Sequence, residues 1–259
     1  MKIGVNCGSP DRWHMIRRNG YDYAEGYFAG IALASDAEFQ KMCDVRNQTG
    51  INIEAVNGMF TPDFTLLGAE KTSLDAVRDF AEKGFYRAKM LGAEIAVLGS
   101  GKARAISADM EKARAEADFL ALLELLGDIA QKNGMNLVIE PLRYAETNFI
   151  NTVAESLSLC RLLSHKSVGT LVDFFHFHMN GESLDSLKDA GDTLMHAHIA
   201  RPDADRRVPT EIDRAICKQW ADTLREIGYD KRITLEAIFA EDFEADMQSA
   251  SDIMNMFRE

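Results

Sequence analysis

The sequence is poor in residues that cross-link or interrupt a chain, with four cysteines and five prolines among 259 residues. The cysteines are scattered and none forms a CxxC pair, which is typical of free thiols in a reducing cytoplasm. No signal-peptide pattern follows Met1, and no apolar run approaches the roughly 18 residues of a membrane span. These absences predict a cytoplasmic protein that makes no contact with a membrane.

The sequence also lacks an excess of positive charge and any recognisable linker. Its formal net charge is −12, so the phosphate backbone of a nucleic acid would repel it, and we expect no nucleic-acid partner. No Pro-rich, low-complexity or like-charged segment marks a domain boundary. An apolar content of 46% supports a large core, and we therefore predict a single domain over residues 1–259.

Short apolar runs alternate with longer amphipathic segments along the whole chain. The helical spacing of apolar residues is clearest over 74–92, 110–134 and 220–230. Such alternation predicts parallel strands with right-handed crossovers, and eight units in about 250 residues are typical of a (β/α)8 barrel. An open doubly wound sheet is the competing architecture, although no GxGxxG follows the first strand. The predicted strands are 2–6, 21–25, 51–57, 94–100, 136–141, 169–174, 194–200 and 232–239.

Ionisable residues stand at or near the carboxyl ends of the last four predicted strands. They are Glu140, Asp173, Glu236 and the pair His196 and His198. In a parallel barrel these ends open on one face, where active sites are built. The two histidines point the same way because they are two residues apart, and His198 is closer to the barrel mouth.

Three carboxylates and one imidazole at the same mouth predict a site for a divalent cation. Carboxylates that lie close together repel each other, and a bound cation removes this conflict. A ligand set of three oxygens and one nitrogen suits Mn²⁺, Mg²⁺ or Co²⁺. Taken singly, each residue has a simpler explanation: Asp173 as a helix N-cap, His196 as a hydrogen-bonded barrel residue. The pattern repeated over four successive strands favours the metal site.

Three segments resemble the xylose-isomerase-like superfamily of barrel enzymes, and within it most strongly the ketose 3-epimerases that act on D-tagatose and D-psicose. The segments are "IEPLRYAETNFINT" (139–152), "LVDFFHFHMN" (171–180) and "HAHIARPDADRRVP" (196–209), with "ITLEAIF" (233–239) after them. The resemblance implies that Glu140, Asp173, His198 and Glu236 bind the metal. It implies further that Glu146, His176 and Arg206 bind the substrate. The loop before "RRVP" is about two residues longer than the epimerase pattern, so Arg207 is an alternative to Arg206.

The resemblance implies an isomerase of carbohydrate metabolism that moves a proton next to a ketone. The metal would stabilise the enediolate, while Glu140 and Glu236 would exchange the proton from opposite sides of the sugar. The partner would be a small carbohydrate, and the resemblance also implies a homodimer or homotetramer.

Three alternatives to a sugar epimerase or isomerase are a dehydratase, a nuclease and a binding protein, and the residues argue against the last two. A metal-dependent dehydratase of a keto-inositol begins with the same proton abstraction, so residue types do not separate it from an isomerase. A repair nuclease of the endonuclease IV type needs a three-zinc cluster with several extra histidines on earlier strands. Here the third and fourth predicted strands end in Asn57 and Ser100, and the chain has six histidines in all. A binding protein without activity has no need of two glutamates beside the other ligands.

Overall fold

The fold is a closed barrel of parallel strands, as described by a computed structural model for residues 1–203 and 205–258. In these residues eight strands pair in chain order, and β1 pairs with both β2 and β8. This closure confirms the predicted (β/α)8 barrel and excludes the open sheet. Ala204 and Glu259 fall within the predicted domain but outside the described residues. The strands are β1 Lys2–Asn6, β2 Tyr23–Tyr27, β3 Ile53–Asn57, β4 Ile95–Leu98, β5 Asn136–Ile139, β6 Val168–Asp173, β7 Leu194–Ile199 and β8 Arg232–Leu235.

Helices surround the barrel and follow the strands along the chain. The predicted helical segments 74–92 and 110–134 correspond to α4 and α5, whereas segment 220–230 contains only the last part of α8. No helix in the described part of the chain is long and apolar enough to cross a membrane. The α-helices in the described residues are α1 Trp13–Arg18, α2 Phe28–Leu33, α3 Asp36–Thr49, α4 Leu74–Met90, α5 Lys112–Lys132, α6 Val153–Leu163, α7 Phe174–Met179, α8 Arg214–Glu226 and α9 Phe243–Asn255.

The strand boundaries differ from the prediction most clearly at β2. This strand was expected over 21–25 but spans Tyr23–Tyr27, so Glu25 lies in its middle. Residues 21 and 22 precede the strand, although the Asp22 backbone N–H already donates to the Ile3 carbonyl at 2.7 Å. The predicted strand ends at Glu25, which would place this residue at the barrel rim. The observed strand places it inside the barrel.

Side chains that alternate along each strand fill the inside of the barrel. The ring of Tyr23 lies in this interior, and a Cβ added at Gly4 would come within 2.3 Å of it, so glycine is required there. Residues two positions apart on a strand point to the same face. The inward faces of β5 and β6 are therefore apolar inside the barrel, and they lead to Glu140 and Asp173 at its mouth. The inner apolar cluster comprises Tyr23, Ala55, Ile95, Val97, Val138 and Leu171.

Candidate metal centre and substrate site

Four ionisable side chains from successive strands meet at the carboxyl end of the barrel. Glu140 directly follows β5, Asp173 ends β6, His198 lies near the end of β7, and Glu236 directly follows β8. The pairing of β6 with β7 sets Asp173 beside His198. The backbone N–H groups of Glu140 and Glu236 still donate to β4 and β7 carbonyls, at 3.2 and 3.0 Å. The sheet therefore still fixes the backbone of each glutamate, although the residue lies one position beyond its strand.

The three carboxylates approach the same nitrogen of His198. Its Nδ1 atom lies 2.8 Å from Glu236 Oε2, 3.4 Å from Glu140 Oε1 and 4.0 Å from Asp173 Oδ2. Nδ1 is buried and forms no hydrogen bond with any of the described residues, since none of these oxygens lies in line with it. The four groups thus converge on one region, but the three carboxylates leave His198 Nδ1 without a hydrogen bond.

This geometry fits a single divalent cation. One ligand atom from each of the four residues can be chosen so that all lie within 4.8 Å of one another. Ligands bound to one ion at about 2.1 Å lie roughly 3–4.2 Å apart, which agrees with the separations from His198 Nδ1. Three oxygens and one nitrogen suit Mg²⁺ or Mn²⁺ and also accommodate Zn²⁺ or Co²⁺.

The pKa values of Glu140, Asp173 and His198 are shifted from their usual values. Burial raises the pKa of Glu140, and the nearby Glu236 carboxylate adds to this effect. Burial also acts on Asp173, but the positive charge of Arg206 outweighs it and lowers the pKa of this carboxyl. Burial opposes a charge on His198, yet the Glu25 and Glu236 carboxylates overcome it and raise the pKa well above the usual value. A cluster of this kind at a barrel mouth is typical of a functional site.

Asp173 caps a helix, and its second oxygen is free to serve in the ligand set, so its geometry is compatible with both roles that the sequence left open. Its Oδ1 atom accepts a hydrogen bond of 2.8 Å from the Phe175 backbone N–H and so caps the N-terminus of α7. Its Oδ2 atom faces the other carboxylates and accepts a 2.5 Å hydrogen bond from Arg206. The cap fixes the rotation of the carboxylate and leaves one oxygen for the site.

The three residues expected to contact substrate lie beside the four potential ligands. Arg206 Nη2 donates to both Asp173 Oδ2 and Glu236 Oε2 at 2.5 Å, and Arg206 Nη1 lies 3.0 Å from His176 Nε2. Glu146 Oε1 lies 3.9 Å from His176 Nδ1 and accepts a 2.7 Å hydrogen bond from Arg143. The structure therefore brings Glu146, His176 and Arg206 into one continuous polar wall.

Arg206, and not Arg207, reaches the site through an unusual backbone. Its φ of 47° lies in the left-handed region, which a residue with a Cβ seldom adopts. The Arg206 carbonyl accepts a 2.7 Å hydrogen bond from the Ile238 N–H, which ties this loop to the segment after Glu236. Although this loop is longer than in the epimerase pattern, it still places one arginine at the barrel mouth.

Several side chains at the site were not predicted from the sequence. Asn57 Nδ2 donates a 2.7 Å hydrogen bond to Glu236 Oε1, and the Phe175 ring lies beneath the guanidinium groups of Arg143 and Arg206, at 4.9 and 4.8 Å. The sequence places Asn57 only at the end of the third predicted strand, 51–57. Closure of the barrel leaves only β1 and β2 between β3 and β8, and this proximity is the signal that would have identified Asn57.

A second cluster of buried side chains that could bind a metal lies deeper in the barrel. Glu25 Oε2 is 2.9 Å from His196 Nε2, and Glu25 Oε1 is 3.0 Å from His198 Nε2. All three side chains are completely buried. His196 therefore lies below the mouth, as its position on β7 predicted, while His198 belongs to both sets.

Comparison with known proteins identifies the family. The family model described as xylose isomerase-like TIM barrel matches residues 13–259. The chain belongs to this family. The resemblance to this family inferred from the sequence is thus confirmed.

Curated members of the family match about half of the chain. D-psicose 3-epimerase of Agrobacterium fabrum is 30% identical over 112 residues, which are 43% of this chain and 38% of that protein. Inosose isomerase of Bacillus licheniformis is 27% identical over 133 residues, which are 47% of this chain and 46% of that protein. The matched segments therefore span less than half the length of these relatives.

Solved structures match over the whole barrel. A D-psicose 3-epimerase crystallised in the presence of D-fructose superposes with a TM-score of 0.83 at 20% identity and covers 100% of both chains. The IOLI protein with a bound zinc atom superposes with a TM-score of 0.76 at 18% identity, over 99% of this chain and 98% of that chain. At these identities the likeness establishes the fold alone.

Proposed function

We propose that this protein is a metal-dependent isomerase, acting as a sugar epimerase or an aldose–ketose isomerase. The convergence of Glu140 and Glu236 on His198 Nδ1 from two non-adjacent strands is the observation that carries the proposal. Glu140, Asp173, His198 and Glu236 would hold one Mn²⁺, Mg²⁺ or Co²⁺ ion. The chain would act as one catalytic domain in the cytoplasm, in keeping with its four free cysteines.

The bound cation would supply Lewis-acid stabilisation of the negative charge that develops on the substrate during proton removal. The carboxylates of Glu236 and Glu140 would remove and return the proton on opposite faces of the sugar. Asn57 and Arg206 donate hydrogen bonds to Glu236 and so hold its carboxylate in one position.

Glu146, His176 and Arg206 would bind the hydroxyl and carbonyl oxygens of the substrate. Such contacts contribute mainly by orienting the reacting carbon between the two glutamates. The polar wall and the deep position of the metal set suit a small carbohydrate. The relatives named psicose epimerases support a free ketose as the substrate.

Isomerisation of a keto-inositol is the second candidate, because inosose isomerases are among the relatives. The dehydratase of the same substrate class starts from the same proton abstraction and differs only in the loss of water. The identity of the substrate that takes up deuterium separates the two isomerisations, and loss of water identifies the dehydratase.

A mass-spectrometric screen in D₂O tests the proposal. The purified protein, with Mn²⁺, Mg²⁺ or EDTA, is incubated with free ketoses, their phosphates and keto-inositols. Metal-dependent uptake of one deuterium into an isomer of unchanged composition is the expected result. Loss of water would identify a dehydratase instead. Absence of exchange from every substrate, with the metal bound, would contradict the proposed chemistry.

A further inference from the structure

Glu25 is a fully buried carboxylate whose partners are unusual. It lies inside the barrel, and its ion-pair partners among the described residues are His196 and His198, with no lysine or arginine. Its Oε2 atom also accepts a 2.5 Å hydrogen bond from Thr234 Oγ1, which lies 2.8 Å from the Tyr23 hydroxyl. Burial of a charged group is costly, so a carboxylate in this position needs a compensating role.

The two nitrogens of His198 face two different surroundings. Nε2 points down to Glu25 at 3.0 Å, and Nδ1 points up to the carboxylates at the barrel mouth. An imidazole that donates a hydrogen from Nε2 to a carboxylate keeps its Nδ1 lone pair for a metal. Partners of this kind fix the orientation of the ring and increase the basicity of the ligand.

We propose that Glu25 is a positioning residue for the metal centre. It accepts the Nε2 hydrogen of His198 and thereby directs the Nδ1 lone pair at the cation, while Thr234 and His196 hold the Glu25 carboxylate in place. This inference rests on the proposed function, because it assigns Glu25 a role only if the four residues at the mouth bind a metal.

The same residues also allow a different interpretation. Glu25, His196 and His198 offer donor atoms within 4.8 Å of one another, which is close enough for a second cation. That cation would need the Nε2 lone pair of His198, which the proposal assigns to a hydrogen. The Glu25 carboxylate already has contacts from Thr234, His196 and His198 at 2.5–3.0 Å, so its oxygens have partners without an ion.

The test compares metal affinity in two variants that lose a buried carboxylate. Glu25→Gln removes the charge beneath His198. Glu54→Gln is the matched control, because Glu54 is also buried but pairs with Lys2 and Arg232 at the opposite end of the barrel. Mn²⁺ affinity is measured by isothermal titration calorimetry, and the melting temperature of each metal-free variant is recorded alongside.

Glu25→Gln is expected to weaken Mn²⁺ binding by about 10- to 100-fold. Glu54→Gln is expected to lower the melting temperature while Mn²⁺ affinity stays within about threefold of the original protein. Equal Mn²⁺ affinity in the Glu25→Gln variant and the original protein would overturn the inference and leave the proposed function intact. No Mn²⁺ binding by the unaltered protein would overturn both.

A second measurement does not depend on the stability of any variant. Long-range ¹H–¹⁵N spectra of the histidine-labelled, unaltered protein loaded with Zn²⁺ report which ring nitrogen carries hydrogen. The expected pattern for His198 is a protonated Nε2 and a metal-bound Nδ1. A metal-bound Nε2, or two metal ions per chain, would overturn the inference in favour of a cation at Glu25.

Discussion

Substitution of Gly99 by alanine would alter the metal centre through a single methyl group. Gly99 directly follows β4 and is buried, and a Cβ built on it would lie 2.2 Å from Glu140 Oε2. Real Cβ atoms essentially never approach another atom closer than 3.0 Å, so the oxygen must move by at least about 0.8 Å, the difference between these distances. The obstructing atom is the end of a side chain, so the barrel can remain folded while the carboxylate moves.

A displacement of this size is large for a carboxylate with the proton-transfer role proposed for Glu140. Misplacement of a reacting group by about 1 Å reduces turnover by about 10²-fold, which corresponds to about 2.7 kcal/mol. We expect Gly99→Ala to lower kcat/KM for deuterium exchange by about this factor and to weaken Mn²⁺ binding in calorimetry. The melting temperature should change little.

Gly8→Ala is the matched control on the same rim. Its added Cβ would lie 3.4 Å from Tyr27 Cβ, which is an ordinary contact, and the backbone at Gly8 does not need glycine. Gly8→Ala should therefore retain both activity and metal affinity. Unchanged kcat/KM and Mn²⁺ affinity in a folded Gly99→Ala variant would refute the assignment of Glu140 to the site.

Further predictions concern the proton carrier, the metal ligand and the pH dependence of stability. Glu236→Gln should lower turnover by about 10²–10⁴-fold with an unchanged circular dichroism spectrum, and near-normal turnover would exclude it as an acid or base. His198→Ala should abolish stoichiometric Mn²⁺ binding measured by elemental analysis; full occupancy would leave His196 as the nitrogen ligand. Burial raises the pKa of Glu182 from 4.5 to about 7, so the folded protein binds the extra proton between these values and loses stability as the pH rises through them. Glu182→Gln should flatten this decline in melting temperature between pH 5 and 7.5, and a decline as steep as that of the unaltered protein would contradict this assignment.

The barrel could be predicted because its strands carry a strong local signal. Runs such as 169–174 are apolar and β-branched, and their regular alternation with amphipathic segments restricts the chain to few architectures. The ends of the strands were less certain. β8 ends at Leu235, not at residue 239, because the chain leaves the sheet once Glu236 has paired with β7.

The rim of the site could be predicted, but its interior could not. Glu140, Asp173 and Glu236 were identifiable because each follows an apolar run and all strand ends share one face. The contact between Glu25 and His198 joins β2 to β7, and it depends on barrel closure and on the exact register of both strands. The predicted β2 lay two residues too early in the chain, and the contact between Glu25 and His198 was therefore not predicted.

Anomalous diffraction from crystals grown with Mn²⁺ tests the central claim most directly. The account predicts one strong peak per chain, within about 2.3 Å of oxygens from Glu140, Asp173 and Glu236 and of His198 Nδ1. A peak among Glu25, His196 and the opposite nitrogen of His198, or no peak in the barrel at all, would contradict it.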